Sequence, residues 1–126
     1  MPRVFVIHRP IVREEINFPI EPKSAGSIVE YFQIVKDSCG TGPVRAMRYE
    51  GDRELLRSQL MEIATRISEH YELNEFECFR RMGEVAAGEP CMLVRLAAPH
   101  RDEAFRAMND FLAAVHKIEI NSTPVT

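Results

Sequence analysis

No stretch of this 126-residue chain approaches the roughly 18 apolar residues that a membrane span needs. The opening run, Arg3-Val4-Phe5-Val6-Ile7-His8, is too short for a signal peptide. A soluble, cytoplasmic protein with no membrane partner is therefore expected. Cysteine is scarce as well. Cys39, Cys78 and Cys91 are odd in number, widely spaced and in no C-x-x-C, which suggests neither a zinc knuckle nor a redox dithiol. Reduced thiols fit best. A phosphate-cradling glycine loop is missing, because Gly40-Thr41-Gly42 is not followed by a lysine and a helix. Basic residues do not alternate with aromatics, and the net charge is -3, so no nucleic-acid partner is expected. His8, His70, His100 and His116 show no ligand spacing, and no metal is expected.

What is present reads as an ordinary globular chain, 45% hydrophobic and 28% charged. Its length suits one domain over 1–126 with its own core. Residues 3–8 read as a strand. Residues 9–24 read as a loop punctuated by Pro10, Pro19 and Pro22. A second strand is expected over 26–36 and a turn-rich connection over 37–43. A weaker strand spans 44–50, with Val44, Ala46 and Arg48 on one face and Arg45, Met47 and Tyr49 on the other.

Asp52 can cap a helix beginning near Arg53, along which Leu55, Leu56, Leu60, Ile63, Ala64, Ile67 and Tyr71 recur at helical spacing. Residues 76–82 and 91–97 read as two strands of a β-hairpin, with 83–90 turning the chain back. Cys78 and Cys91 then fall in strands as small core residues, and Cys39 in an exposed loop. A final helix presents Ala104, Phe105, Met108, Phe111, Leu112 and Val115 on its apolar face. The expected class is α+β: a mixed or antiparallel sheet of about five strands, with a β-hairpin and two main helices.

Four basic positions fall where strands end and helices begin: Lys36, Arg81, and the pair His100-Arg101 at the start of the last helix. Site residues gather at such rims. A helix N-terminus already carries partial positive charge, so cations there help hold an anion. Arginine holds phosphate or carboxylate through a two-pronged fork. Solvated rim charges or local ion pairs are the plainer alternative, since Asp102 and Glu103 follow Arg101 and Glu84 follows Arg81. The tail after Lys117 contains no lysine or arginine.

The order of these features resembles the large, catalytic subunit of molybdopterin synthase. The pieces are Gly26-Ser27-Ile28-Val29 running to Val35-Lys36-Asp37, and Tyr49-Glu50 before the long helix. Then come the hairpin pattern Arg80-Arg81-Met82-Gly83-Glu84-Val85-Ala86-Ala87-Gly88-Glu89 and the ungapped run Ala98 to Phe105. The resemblance covers roughly residues 26–117. It implies sulfur insertion into a cyclic pterin phosphate. The sulfur comes from the thiocarboxylated Gly-Gly C-terminus of a small ubiquitin-like subunit, with no metal or organic cofactor. It also implies a homodimer of large subunits.

Carried over position by position, His100 and Arg101 match the family's His-Arg pair, and Lys36 stands where the family has arginine. The family's helix-end lysine falls on His116, with Lys117 one residue later; its second lysine falls on Thr123. Arg80 stands at the family's hairpin histidine. The resemblance thus assigns catalysis to Lys117 and His116, and substrate binding to Lys36, Arg81, His100 and Arg101, with the catalytic lysines missing from their usual places. The alternative is a catalytically degenerate, dimeric protein that binds a pterin phosphate or a protein partner. Arg101 and Lys117 bracket a helix of roughly 24 Å at 1.5 Å per residue. If both serve one pocket, a second subunit must deliver one of them.

Overall fold

The computed structural model describes residues 2–13, 25–40, 42–118 and 120–126. The expected loop over 9–24 lies outside these residues from position 14 onward. Among the described residues the elements run β1 (Arg3–Ile7), β2 (Ser27–Ile34), β3 (Ser38–Cys39), β4 (Gly42–Pro43), β5 (Ala46–Glu50), α1 (Arg53–His70), β6 (Glu75–Arg81), β7 (Gly83–Ala86), β8 (Pro90–Ala98), α2 (Arg101–His116) and β9 (Asn121–Val125). This is an α+β arrangement, as the sequence leads one to expect.

The main sheet has the order β1-β6-β8-β2. β1 runs parallel to β6, and the other pairs are antiparallel. Side chains alternate across each strand. Val4 and Val6 of β1, Phe76 and Cys78 of β6, and Val94 and Leu96 of β8 form one buried face against which both helices pack. Leu60 and Ala64 of α1 and Ala107 and Phe111 of α2 complete that core. The rings of Phe76 and Phe111 meet edge-on, with centroids 4.8 Å apart. Each large side chain buried here stabilises the fold by about 1.5–3 kcal/mol. Among the described residues no helix is long and apolar enough to cross a membrane.

α1 begins where expected. Asp52 is extended, and its carboxylate accepts a hydrogen bond from the Leu55 N–H at 3.1 Å. The apolar stripes are narrower than the periodicity predicts. Leu55 is 58% exposed and Phe105 55% exposed. Each sits beside a buried neighbour, Leu56 and Ala104 respectively, and a step of one residue turns a helical side chain by about 100°.

The expected hairpin forms, with β6 paired to β8 from Glu75↔Ala97 to Arg80↔Met92. Its connection is more than a turn. Gly83, at φ +87°, swings the chain out of the main sheet. It opens β7, which pairs with β5 in a second sheet of order β7-β5-β9. The tail supplies β9, the other edge of that sheet, from Ala46↔Val125 to Glu50↔Asn121. β3 and β4 form a minimal ladder inside the expected 37–43 connection.

Candidate functional site

Strand alternation in β6 puts Arg80 on the face already occupied by Phe76 and Cys78. The register places Val6, Arg80, Met92 and Gln33 in one row across the main sheet. In the second sheet Tyr49 pairs with Ser122. The end of α2 brings Val115 and His116 to the same place. These elements enclose an open recess of about 230 Å³. Gln33, Tyr49, Arg80, His116 and Ser122 are its polar lining, and Met47, Met92, Val115, Ile118 and Ile120 its apolar wall.

Arg80 is only 5% exposed. Its Nη1 donates to the Cys91 carbonyl at 3.2 Å, and its guanidinium lies 4.4 Å from the centroid of the Tyr49 ring. A guanidinium over an aromatic face is an attractive arrangement. Burial pushes the Tyr49 hydroxyl up to about 12, the Cys91 thiol adds to the rise, and Arg80 partly opposes it. Tyr49 therefore stays a neutral phenol through the physiological range. Cys78, behind Arg80 in the core, is also pushed up to about 12 by burial, so its thiol is not activated.

The residues singled out by sequence separate into distinct regions. His116 lines the recess. Lys117 is the C-cap of α2; its backbone is still helical at φ -85°, ψ -11°, and its side chain is exposed. The helix does not unwind to carry Lys117 into the position of His116. Lys36 is exposed beyond the end of β2 and does not line the recess.

Arg81, one step along from Arg80, belongs to the opposite face. Its Nη1 meets the Glu89 carboxylate at 3.4 Å, and its Nη2 donates to the Glu84 carbonyl at 3.1 Å. Glu89 also accepts from the Ala86 N–H at 3.1 Å. Arg81 and Glu89 thus brace the β7–β8 turn. Sequence reasoning left Arg80 out of the site, although period-2 alternation from Phe76 and Cys78 points to it.

His100 and Arg101 lie at the far end of α2. His100 is the N-cap, in extended conformation and without a side-chain capping bond. Its Nδ1 sits 3.0 Å from a Glu103 carboxylate oxygen. Arg101 is exposed and has no side-chain hydrogen bond or ion pair among the described residues. A shallow recess here is lined by His70, Tyr71, Glu72, Pro99, His100 and Glu103. Tyr71 donates to Asp110, which raises its pKa. The turn before α2 is pinned by Gly26, whose N–H donates to the Ala98 carbonyl at 2.9 Å. Among the described residues no group of three or more His, Cys, Asp or Glu side chains is placed to hold a metal ion.

The profile of a family described as MoaE protein matches residues 6–117. A curated relative, the molybdopterin synthase catalytic subunit of Pyrenophora tritici-repentis, is 30% identical over 93 residues, which are 74% of this chain and 52% of that protein. The chain thus spans about half the length of that relative. The X-ray crystal structure of molybdopterin synthase from Staphylococcus aureus is similar at a TM-score of 0.84 with 20% identity, covering 99% of this chain and 92% of that one. The protein–protein complex of subunits 1 and 2 of molybdopterin-converting factor from Helicobacter pylori contains a chain similar at a TM-score of 0.76 with 13% identity, covering 96% of this chain and 83% of that one. At these identities the two structures establish the shared fold.

Proposed function

The chain belongs to the MoaE protein family, and from that premise we propose that it works in molybdenum cofactor biosynthesis as a divergent molybdopterin synthase catalytic subunit. The observation that carries the reading is the recess where Arg80, Tyr49 and His116 meet at the C-terminal end of α2.

In this reading a small ubiquitin-like subunit brings a C-terminal thiocarboxylate to the recess. Its sulfur bonds to a carbon of a cyclic pterin phosphate, and the oxygen substituent on that carbon leaves as hydroxide with its bonding pair. Water then cleaves the acyl–sulfur bond, leaving the sulfur on the pterin and a carboxylate on the small subunit. The reaction needs a group that can hold or activate the acyl carbon, and cations that hold the pterin phosphate. His116 is the group of this chain placed to act at the recess, and Lys117 supplies an amine one residue on. His100, Arg101 and Lys36 are the phosphate-binding candidates. Since α2 holds Arg101 roughly 24 Å from Lys117, a homodimer that brings the His100 end of one subunit to the His116 end of its partner would complete the site. Arg81, held by Glu89, has a bracing role in this scheme.

A second reading has a specific observation in its favour. Among the described residues no lysine lines the recess. A protein that binds pterin phosphate or the small subunit without transferring sulfur would look the same. Product formation separates the two readings. Purified protein, cyclic pterin precursor and thiocarboxylated small subunit are combined, and the dithiolene product is measured. His116→Lys, which returns an amine to the helix end, is expected to raise the rate by about tenfold or more, as losing a positioned catalytic group lowers it by orders of magnitude. No product from either protein, with pterin binding retained, would establish the binding reading instead.

A further inference from the structure

We propose that Arg53 and Arg57 of α1 are a latch on the β1 edge of the main sheet. They occupy the backbone carbonyls at which a second copy of this chain would otherwise add a strand. The latch is independent of the sulfur chemistry proposed above.

β1 stands at one end of the sheet order β1-β6-β8-β2, so strand pairing uses only one side of its backbone. Val4-Phe5-Val6-Ile7 is apolar, uncharged and free of proline. Its register with β6 runs without a bulge. Arg3, the one charge in the strand, turns to Glu75 and Glu77 of β6, at 3.5 and 3.0 Å. Sheet edges are usually blunted by an edge charge, a proline or a bulge, and an apolar edge without them takes up further strands.

Backbone alternation decides which groups of β1 face outward. The Ile7 carbonyl accepts from the Met82 N–H at 2.8 Å, on the β6 side. Carbonyls alternate along a strand, so those of Val6 and Val4 point away from β6. Arg53 Nε donates to the Val6 carbonyl at 2.7 Å, and Arg57 Nε donates to the Val4 carbonyl at 3.2 Å. The two spacings match: four residues of helix rise about 6 Å, and two residues of strand about 6.6 Å. Val4 and Val6 are each only 1% exposed, so the edge is covered where an added strand would lie.

Neither arginine meets a carboxylate among the described residues, so the carbonyls are what hold the two guanidinium groups. A charged donor makes a stronger hydrogen bond than the neutral N–H of an incoming strand. The arginines also belong to the same chain, whereas an added copy gives up its free motion on binding. Both effects keep the latch closed. At the opposite edge, β2 leaves Ile28 53% and Ile34 46% exposed. With both edges open, β2 of one copy would add to β1 of the next, head to tail. Contacts of that kind do not close and grow into filaments. Closing β1 confines association to closed assemblies.

The test is sedimentation velocity of the purified protein over a wide range of concentration. Circular dichroism and urea unfolding show which variants are folded. Wild type is expected to stay at or below a dimer. The double variant Arg53→Met, Arg57→Met should form larger species that grow with concentration. Its association constant for further copies should rise by about tenfold or more for each arginine lost, as removal of a charge-assisted hydrogen bond implies. Arg57→Met alone should lie between, and it carries the test if the double variant does not fold. Adding Phe5→Lys to the double variant separates edge pairing from lost stability. Phe5 is 40% exposed and stacks on Phe79 with centroids 4.8 Å apart, so its loss weakens the fold. A charge on the edge should nevertheless return the sizes to those of wild type.

Folded variants no larger than wild type would overturn the latch, and so would a wild type that already forms chains. Larger species that persist or increase with Phe5→Lys would show general aggregation of a weakened fold, and the β1 edge would fall as the surface involved.

Discussion

At Gly26 a methyl group has nowhere to go. A Cβ built there would lie 2.0 Å from the Pro99 carbonyl oxygen, a backbone atom in the turn that launches α2. The glycine of the Gly-Ser-Ile-Val motif therefore reads as a packing requirement, and it sets the position of His100. Gly26→Ala should cost about 2 kcal/mol, as overpacking against backbone does, and should shift the His100 resonances. Denaturant unfolding with an unchanged midpoint would show that the turn yields freely.

Burial at two other residues sets the alkaline limit. Cys78 is raised from 9.0 and Tyr49 from 10.0, each to about 12. The folded chain keeps protons that the unfolded chain releases, so this stabilisation is complete below pH 9 and is lost as the pH rises toward 12. Removing the thiol in Cys78→Ala should move the onset of that decline from near pH 9 to near pH 10. Urea unfolding across the range checks it, and an unmoved onset would mean that the thiol is not the source.

Single residues also show what sequence alone conveys. Arg81 stood out because it sits beside Gly83-Glu84 in the hairpin motif, yet its fork is spent on Glu89 and the Glu84 carbonyl. Arg80 sits on the helix-facing side with Phe76 and Cys78. Alternation carries that information, but a charged residue at the end of an apolar face is easily read as the strand running out.

Helices and strands differ in how far they can be read. α1 was legible from end to end, because its stripe and its cap are local signals. Asp52→Ala should lower stability by about 1 kcal/mol. A loss within a few tenths, measured by thermal or urea unfolding, would mean that the Leu55 N–H finds water instead. β7 and β9 were not legible. β7 is a four-residue strand inside a run rich in glycine, and β9 is the polar run Asn121-Ser122-Thr123-Pro124-Val125. Neither has an apolar period of its own. Both exist because β5 offers them a ladder, which is a tertiary fact. The proline of β9 is tolerated because that strand lies at a sheet edge. The recess was hidden for the same reason: Tyr49 and Ser122 become neighbours only through the β5–β9 pairing.

On the scale of the whole molecule, one rigid helix separates two sets of basic residues. His100 and Arg101 open α2, and His116 and Lys117 close it. The helix is continuous between them, so no local rearrangement can bring both sets to one small ligand. If both sets serve one ligand, a symmetric dimer can join them, placing the start of one α2 near the end of the other and forming two equivalent sites. The expected mass in sedimentation is therefore twice 14.5 kDa, and a stable monomer would end the idea. A mixing experiment is sharper still. Arg101→Ala and Lys117→Ala proteins should each bind a pterin phosphate poorly. In an equal mixture half of the dimers combine the two, and each of these has one site with both residues intact, so about a quarter of all sites should recover. Recovery to that level shows the site spans two subunits. No recovery from exchanging dimers would place both residues in one chain's site, against the length of α2, or show that one of them does not touch the ligand.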